Sequence, residues 1–300
     1  MVLAVLSGCV AERGPLEVRT GHPLDATIWD IASGRQITPD ELVAKLASAD
    51  ISIIGEFHDN ALQHQRQAWL VARIKPAGIA FEMIPEGSEE GIAVFQAQGG
   101  KPGEIGPAIG WDRLGWPDWK EYRPIFEAAD GAYIAGGGVA RRDLSRAIRI
   151  GAASVYGEGV VDLGLTKGLP QTMQARLEND MIAAHCNMLP REAAVGMVEA
   201  QRLRDARFAV AVLRAREHGI RAGGPPRAVL ITGNGHARND RGVPRYLETA
   251  APKLSVLSIG MLEMNPAKTR LADYTGELPY DFVWFSPPAD RGDPCEGFGK

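Results

Sequence analysis

The feature that most constrains this chain is a repeated order of short apolar runs and amphipathic stretches. "ISIIGE" is followed by "NALQHQRQAWLVARIK", which reads as a helix with Leu62, Trp69, Leu70 and Ile74 along one stripe. "GIAFEM" is followed by helical "PEGSEEGIAVFQAQG" and "PDWKEYRPIFEAAD", with Pro/Gly-rich text between them, and "AYIAGGG" by "RRDLSRAIRIG". Three consecutive strand-helix units predict an α/β fold with a mostly parallel sheet and helices on both faces, since each crossover lays its helix on the sheet. Ahead of them, "ATIWDIASGRQIT" reads as two short strands about a glycine turn. "TPDELVAKLASAD" then reads as a helix with Thr38 as cap, Pro39 in the first turn and Glu41 completing a capping box. Gly-rich text to about residue 170 precedes two helical segments with no strand between them, "QTMQARLENDMIAAHCN" and a long one from about Arg191 to Glu217. This is expected to be a helical subdomain over about 165–222, inserted before the sheet resumes in "RAVLITGNGH", "KLSVLSIGML" and "DFVWFS". The expected organisation is a tether over 1–26, one α/β domain over 27–290 and a tail over 291–300.

With 300 residues, 45% of them hydrophobic, the chain can bury a full core. Net charge is -4 and the charges are spread, so no basic stripe points to nucleic acid. Beyond the N-terminus no apolar run approaches the roughly 18 residues of a membrane span. "MVLAVLSGCV" resembles a bacterial lipobox, in which cleavage before Cys9 leaves that residue to carry the acyl (palmitate-type) lipid, although the positive n-region is missing. Val10 follows in place of Asp, so the lipoprotein resemblance implies the outer membrane. Cys186 and Cys295 are then the remaining cysteines, able to pair in an oxidising envelope.

Three strands end in the same kind of polar residue: "IIGEFH", "IAFEM" and "LITGNGH". Side chains just past the carboxyl ends of parallel strands meet in one crevice, so Glu56, His58, Glu82 and His236 are expected to converge. Gly55, Gly233 and Gly235 let the backbone turn and approach a ligand closely. Two imidazoles with two carboxylates suit a divalent transition metal, or a base with its orienting partner. Each residue alone reads more readily as a cap, a hydrogen-bonded structural group or a buried ion pair; three strands ending this way favour a shared site. On the long helix, counting from Val198 by three and four reaches Gln201, Asp205, Phe208 and Val212, which puts an amide and a carboxylate on an apolar stripe. Both need partners, with Arg204, Arg207 and the crevice histidines as candidates; a structural buried ion pair is the competing reading.

Four segments, "IIGEFHDNALQHQ", "AFEMIPE", "AHCNMLPREAAVGMVEAQRLRDARFA" and "ITGNGHARNDRGVPRYL", resemble the ChaN-like haem-binding lipoproteins of the erythromycin esterase/ChaN/Tiki superfamily. The resemblance spans about residues 28 to 262. It implies haem binding and a part in haem or iron uptake, a lipid anchor at Cys9, a tyrosine on the iron, and haems held between paired subunits, hence a homodimer. Tyr122, Tyr133, Tyr156 and Tyr246 are the candidate ligands, none inside a matching motif, and His185, beside Cys186, is a further one. Superfamily relatives also include hydrolases. On that alternative Glu56, His58, Glu82 and His236 hold a divalent metal or activate water for ester or peptide cleavage, with Asn234 and Arg238 positioning substrate. The polar crevice suits the hydrolase better, because haem wants an apolar slot and an axial donor; the resemblance favours haem.

Overall fold

A computed structural model describes residues 20–159, 162–274, 276, 278–293 and 295–296; Cys9 and the lipobox-like run lie outside the described residues. The apolar runs form strands. β1 (Ile28–Asp30) and β2 (Arg35–Ile37) make the expected hairpin, and α1 (Pro39–Ser48) carries its capping box, with Thr38 Oγ1 accepting from Glu41 N at 3.2 Å and Glu41 Oε2 accepting from Thr38 N at 2.7 Å. β3 (Ile51–Glu56), α2 (Ala61–Ile74), β4 (Gly78–Pro85), α3 (Glu89–Ala97), α4 (Ile105–Ile109), α5 (Trp119–Ala128), β5 (Tyr133–Gly138), α6 (Arg141–Ile150) and the short α7 (Ala152–Tyr156) follow. Then come α8 (Gln171–Ala184), α9 (Arg191–Arg221), β6 (Ala228–Gly233), α10 (Asn234–Ala237), α11 (Val243–Ala250), β7 (Val256–Glu263) and β8 (Phe282–Ser286).

The strands form one sheet in the order β2-β1-β8-β7-β3-β6-β4-β5. From β8 to β5 every pairing is parallel, and only β1 runs against the rest, pairing antiparallel with β8 on one side and β2 on the other. β3 and β6 are buried along their whole length, as strands covered on both faces must be. Leu42, Leu70 and Phe126, from α1, α2 and α5, pack with Ile54, Phe81 and Ile231 on one face. Leu203, Phe208 and Leu247, from α9 and α11, pack with Ile53, Ala80 and Leu230 on the other.

Two elements differ from expectation. The stripe buried on α2 is Gln63, His64, Arg66, Gln67, Leu70, Val71 and Ile74, while Leu62 and Trp69 are half-buried. Polar residues win this face because strand ends supply partners: Gln63 Nε2 donates to Ser286 Oγ at 2.9 Å, Arg66 Nη1 to the Phe285 carbonyl at 2.7 Å, and Gln67 Nε2 to the Ile54 carbonyl at 3.1 Å. The expected helical insertion is also partly a covering layer. α9 has 31 residues and so spans roughly 46 Å at ~1.5 Å per residue, about twice the length of the six-residue strands. Its later turns cross β4 and β5 as the return from β5 to β6 requires, while its first turns project past the sheet and pair with α8. The tail is tied to that projecting hairpin by a disulfide between Cys186 and Cys295, so the two cysteines do pair. Among the described residues no helix is long and apolar enough to cross a membrane.

Candidate functional site

The chain lays down β3, then β4 and β5, and only later inserts β6 between β3 and β4. The carboxyl ends of β3, β6 and β4 thus flank a point where the strand order reverses, the usual position of a crevice in an open α/β sheet. Glu56 lies in register with Gly233. Its carboxylate meets His64 of α2 and Tyr122 of α5 on one face, whereas Glu82 meets Thr232 and His236 on the opposite, α9 face.

His58 joins the two. Its Nδ1 lies 2.9 Å from Glu56 Oε1 and its Nε2 3.9 Å from Glu82 Oε1, so the ring spans the end of the sheet from one face to the other. Gly233 makes room for it: a Cβ there would sit 3.0 Å from His58 Nε2. Burial works to raise the Glu56 carboxyl, but its hydrogen bonds with His58 and His64, and their charges, hold it at about 2. Burial likewise opposes charge on His58, yet the Glu56 hydrogen bond and the Glu82, Glu56 and Asp59 charges lift it to about 9. Trp116 packs 4.9 Å from the same imidazole.

Beyond Glu82 the chain of groups continues. Glu82 Oε2 accepts from Thr232 Oγ1 at 2.7 Å and from Gly233 N at 2.8 Å, and Oε1 lies 3.5 Å from His236 Nε2. Burial pushes this carboxyl up, but the His236 and His58 charges and these two donors leave it below its ordinary value. His236 Nδ1 is 2.6 Å from Asp205 Oδ1, and the Gln201 amide lies 2.9 Å from the same nitrogen. Burial raises the Asp205 carboxyl, more than His236 can offset. The polar residues on the α9 stripe therefore partner a crevice histidine rather than an arginine. Arg207 turns to Glu86 at 3.3 Å.

All four strand-end residues converge as the sequence suggested, as an alternating line of carboxylates and imidazoles. Among the described residues, no group of three or more His, Cys, Asp and Glu side chains is arranged to hold a metal ion. Asn234 and Arg238 are occupied elsewhere: the Asn234 amide bonds the Met261 backbone at 2.7 and 3.0 Å, and Arg238 binds Asp240 at 2.7 Å. Sequence reasoning missed His64 and Trp116. The signal for His64 was its place in the first turns of a helix that starts beside a strand end; Trp116 sits in Pro/Gly-rich text and carried none.

Next to this line lies a groove of about 490 Å3 whose floor includes Glu82, with Trp116, Leu144 and Phe208 among its apolar walls and Arg141, Arg142 and Arg204 at its side. A smaller hollow of about 230 Å3, faced by Ile148, Met181 and Met197, shares Arg141, Leu144 and Arg204 with it. The candidate haem ligands distribute unevenly around the groove. Tyr122 is buried and donates to Glu56 Oε1 at 2.9 Å; burial, then the Glu56 charge, push its phenol far above the usual range. Tyr246 is buried on α11 and also raised by burial and by Asp205. Tyr133 stacks on His218 at 4.4 Å, at the amino end of β5 and so far from the crevice. His185 ends α8, its Nδ1 2.7 Å from the Met181 carbonyl. Tyr156 is half-buried beneath the Arg207 guanidinium at 4.4 Å, and Arg207 leads directly to Glu86 on the groove rim.

The fold is that of the ChaN protein of Campylobacter jejuni with cofacial haem binding, which is 16% identical and superposes with a TM-score of 0.63 over 86% of this chain and 95% of that one. The type III effector HopBA1 (13% identity, TM-score 0.47, 92% and 99% of the two chains) and an erythromycin esterase, EreC, in its open conformation (15%, 0.35, 85% and 80%) are more distant. A comparison with curated proteins finds no match. Residues 42–247, which carry Glu56, His58, Glu82, Asp205 and His236, match the model described as haem-binding uptake, Tiki superfamily, ChaN, and the chain belongs to that family.

Proposed function

We propose that this chain binds haem in the groove at the carboxyl end of its sheet and serves haem or iron uptake at the bacterial envelope. The observation that carries this reading is the groove itself, which sets apolar Trp116, Leu144 and Phe208 beside three arginines and shares Arg141, Leu144 and Arg204 with a second, more apolar hollow. A flat apolar macrocycle bearing two carboxylates asks for those surfaces, and the groove's volume lies within the usual range for ligand sites of about 300–1,000 Å3. Haem, when bound, would supply an iron able to accept an oxygen or nitrogen donor from the protein. Tyr156 is the phenol best placed to give one, since among the candidate tyrosines it alone is both partly exposed and linked to the groove rim, through Arg207 and Glu86. The Cys186–Cys295 bond agrees with an oxidising compartment. Acylated Cys9 is the proposed anchor, to the outer membrane. Exposed Ile148 lines the hollow, and with exposed Ile150 on the same helix and Val195 on α9 it offers an apolar surface on which a second copy can pair around the ligand.

The test is a titration of the chain from Val10 onward with ferric haem. A saturable Soret shift at one haem per chain is expected, with a changed spectrum in Tyr156→Phe and no loss of helix signal; absence of saturable binding would falsify the reading. In a bacterial host, fatty-acid labelling of the full chain should vanish in Cys9→Ser.

A second reading is favoured by one observation: two imidazoles, each with its own carboxylate, flank Glu82 on the groove floor. Such pairs suit acid-base hydrolysis of an ester or peptide, with His58 as the protonated partner, or a metal-dependent variant if Glu56, His58, Glu82 and His236 regroup around a divalent ion. Ester-cleaving activity lost in both His58→Ala and His236→Ala, or near-stoichiometric metal lost in His58→Ala, is its expected result.

A further inference from the structure

The charges around the groove do not balance within it. Its acids are matched: Glu86 by Arg207 at 3.3 Å, Asp143 by Arg146 at 3.4 Å and Arg142 at 3.7 Å, and Glu82 by the two histidines. Arg141, exposed at the start of α6, and Arg204, half-buried on α9, form no salt bridge among the described residues, although both face the groove and the hollow. Asp205 follows Arg204 in sequence and feels its charge, but that carboxylate bonds His236. The two arginines line the hollow with Leu144, Ile148, Met181 and Met197, a mostly apolar wall whose other polar side chains, Ser145 and Gln201, are uncharged. An apolar surface with two uncompensated planar cations at its edge is complementary to a flat apolar ligand ending in carboxylates, which guanidinium groups bind bidentately.

We propose that Arg141 and Arg204 form a carboxylate subsite that pairs with the propionates of haem. This rests on the haem reading above and adds to it the polar contact by which the groove tells an anionic porphyrin from a neutral one. The test compares ferric haem with its dimethyl ester, in which both propionates are capped, by absorbance titration of the full chain and of Arg141→Gln/Arg204→Gln. The wild-type chain should bind the ester roughly tenfold or more weakly, the scale of a hydrogen bond to a charged group. The double variant should bind haem and ester alike, and Lys253→Gln, an exposed charge on a distant loop, should keep the wild-type preference.

Haem bound with no preference over its ester in the wild-type chain overturns the subsite and leaves the haem reading standing; that comparison needs no variant to fold. A preference retained in the double variant does the same. No saturable binding of either porphyrin overturns both.

Discussion

His58 holds its proton near neutrality because it stands between carboxylates that reach it from opposite faces of the sheet. The sign of its pH effect follows. Glu56, at about 2 against an ordinary 4.5, contributes stability in full above pH 4.5 and loses it as pH falls toward 2. His58, at about 9 against 6.5, contributes in full below pH 6.5 and loses it as pH rises through 9. Together they predict greatest stability between about pH 4.5 and 6.5, with an alkaline decline in Tm between 6.5 and 9. Melting curves across that range should show the decline flattened in His58→Gln, from a lower starting Tm; an unchanged slope would mean another group titrates there. Gly233 gives a second prediction at this scale. With Ala there, His58 must move from a Cβ 3.0 Å from its ring nitrogen, so the alkaline decline should weaken without any change in net charge. Proton titration of the His58 ring by NMR reads both effects directly.

At the scale of elements, α2 and α9 show what a pattern can and cannot carry. The existence of both helices was legible from periodicity, and so was the odd polarity at Gln201 and Asp205. The buried stripe of α2 was not, because Gln63, His64, Arg66 and Gln67 look like a solvent face until strand ends appear beneath them. Hydrophobic period assumes that buried means apolar, and it fails where a helix starts over the carboxyl ends of strands and meets their carbonyls. The closeness of α9 to the sheet was equally hidden. A Cβ at Gly78 would fall 2.0 Å from the Ala215 carbonyl oxygen, and one at Gly219 2.2 Å from that of Ala77. These neighbours are backbone, so the layers must separate to admit a methyl group. Gly219→Ala should cost about 1–3 kcal/mol in urea unfolding, the range of an overpacked core. A neutral result would show that α9 can slide.

At the scale of the whole molecule, the tail is a strap. Arg291 bonds Asp59 in the loop after β3 at 2.5 and 2.7 Å and Glu263 at the end of β7 at 2.6 Å, and Cys295 then joins Cys186 at the tip of the projecting helical hairpin. The disulfide bridges a separation of 109 residues, and closing a loop of that order restricts the unfolded chain. Cys186→Ser/Cys295→Ser should therefore unfold with about 2–4 kcal/mol less stability, and the wild-type chain should match it once reduced. If reduction alone changes nothing, the strap is held by Arg291 and not by sulfur. The order of strands and helices, the capping of α1 and the meeting of Glu56, His58, Glu82 and His236 were fixed by sequence alone, since local periodicity and the parallel-sheet rule place strand ends together whatever the side chains do next. Which partners those groups chose, where the groove opened and which tyrosine stands beside it were decided by tertiary structure. Each of those depends on contacts between segments tens to hundreds of residues apart, and no local pattern encodes the distance between two such segments.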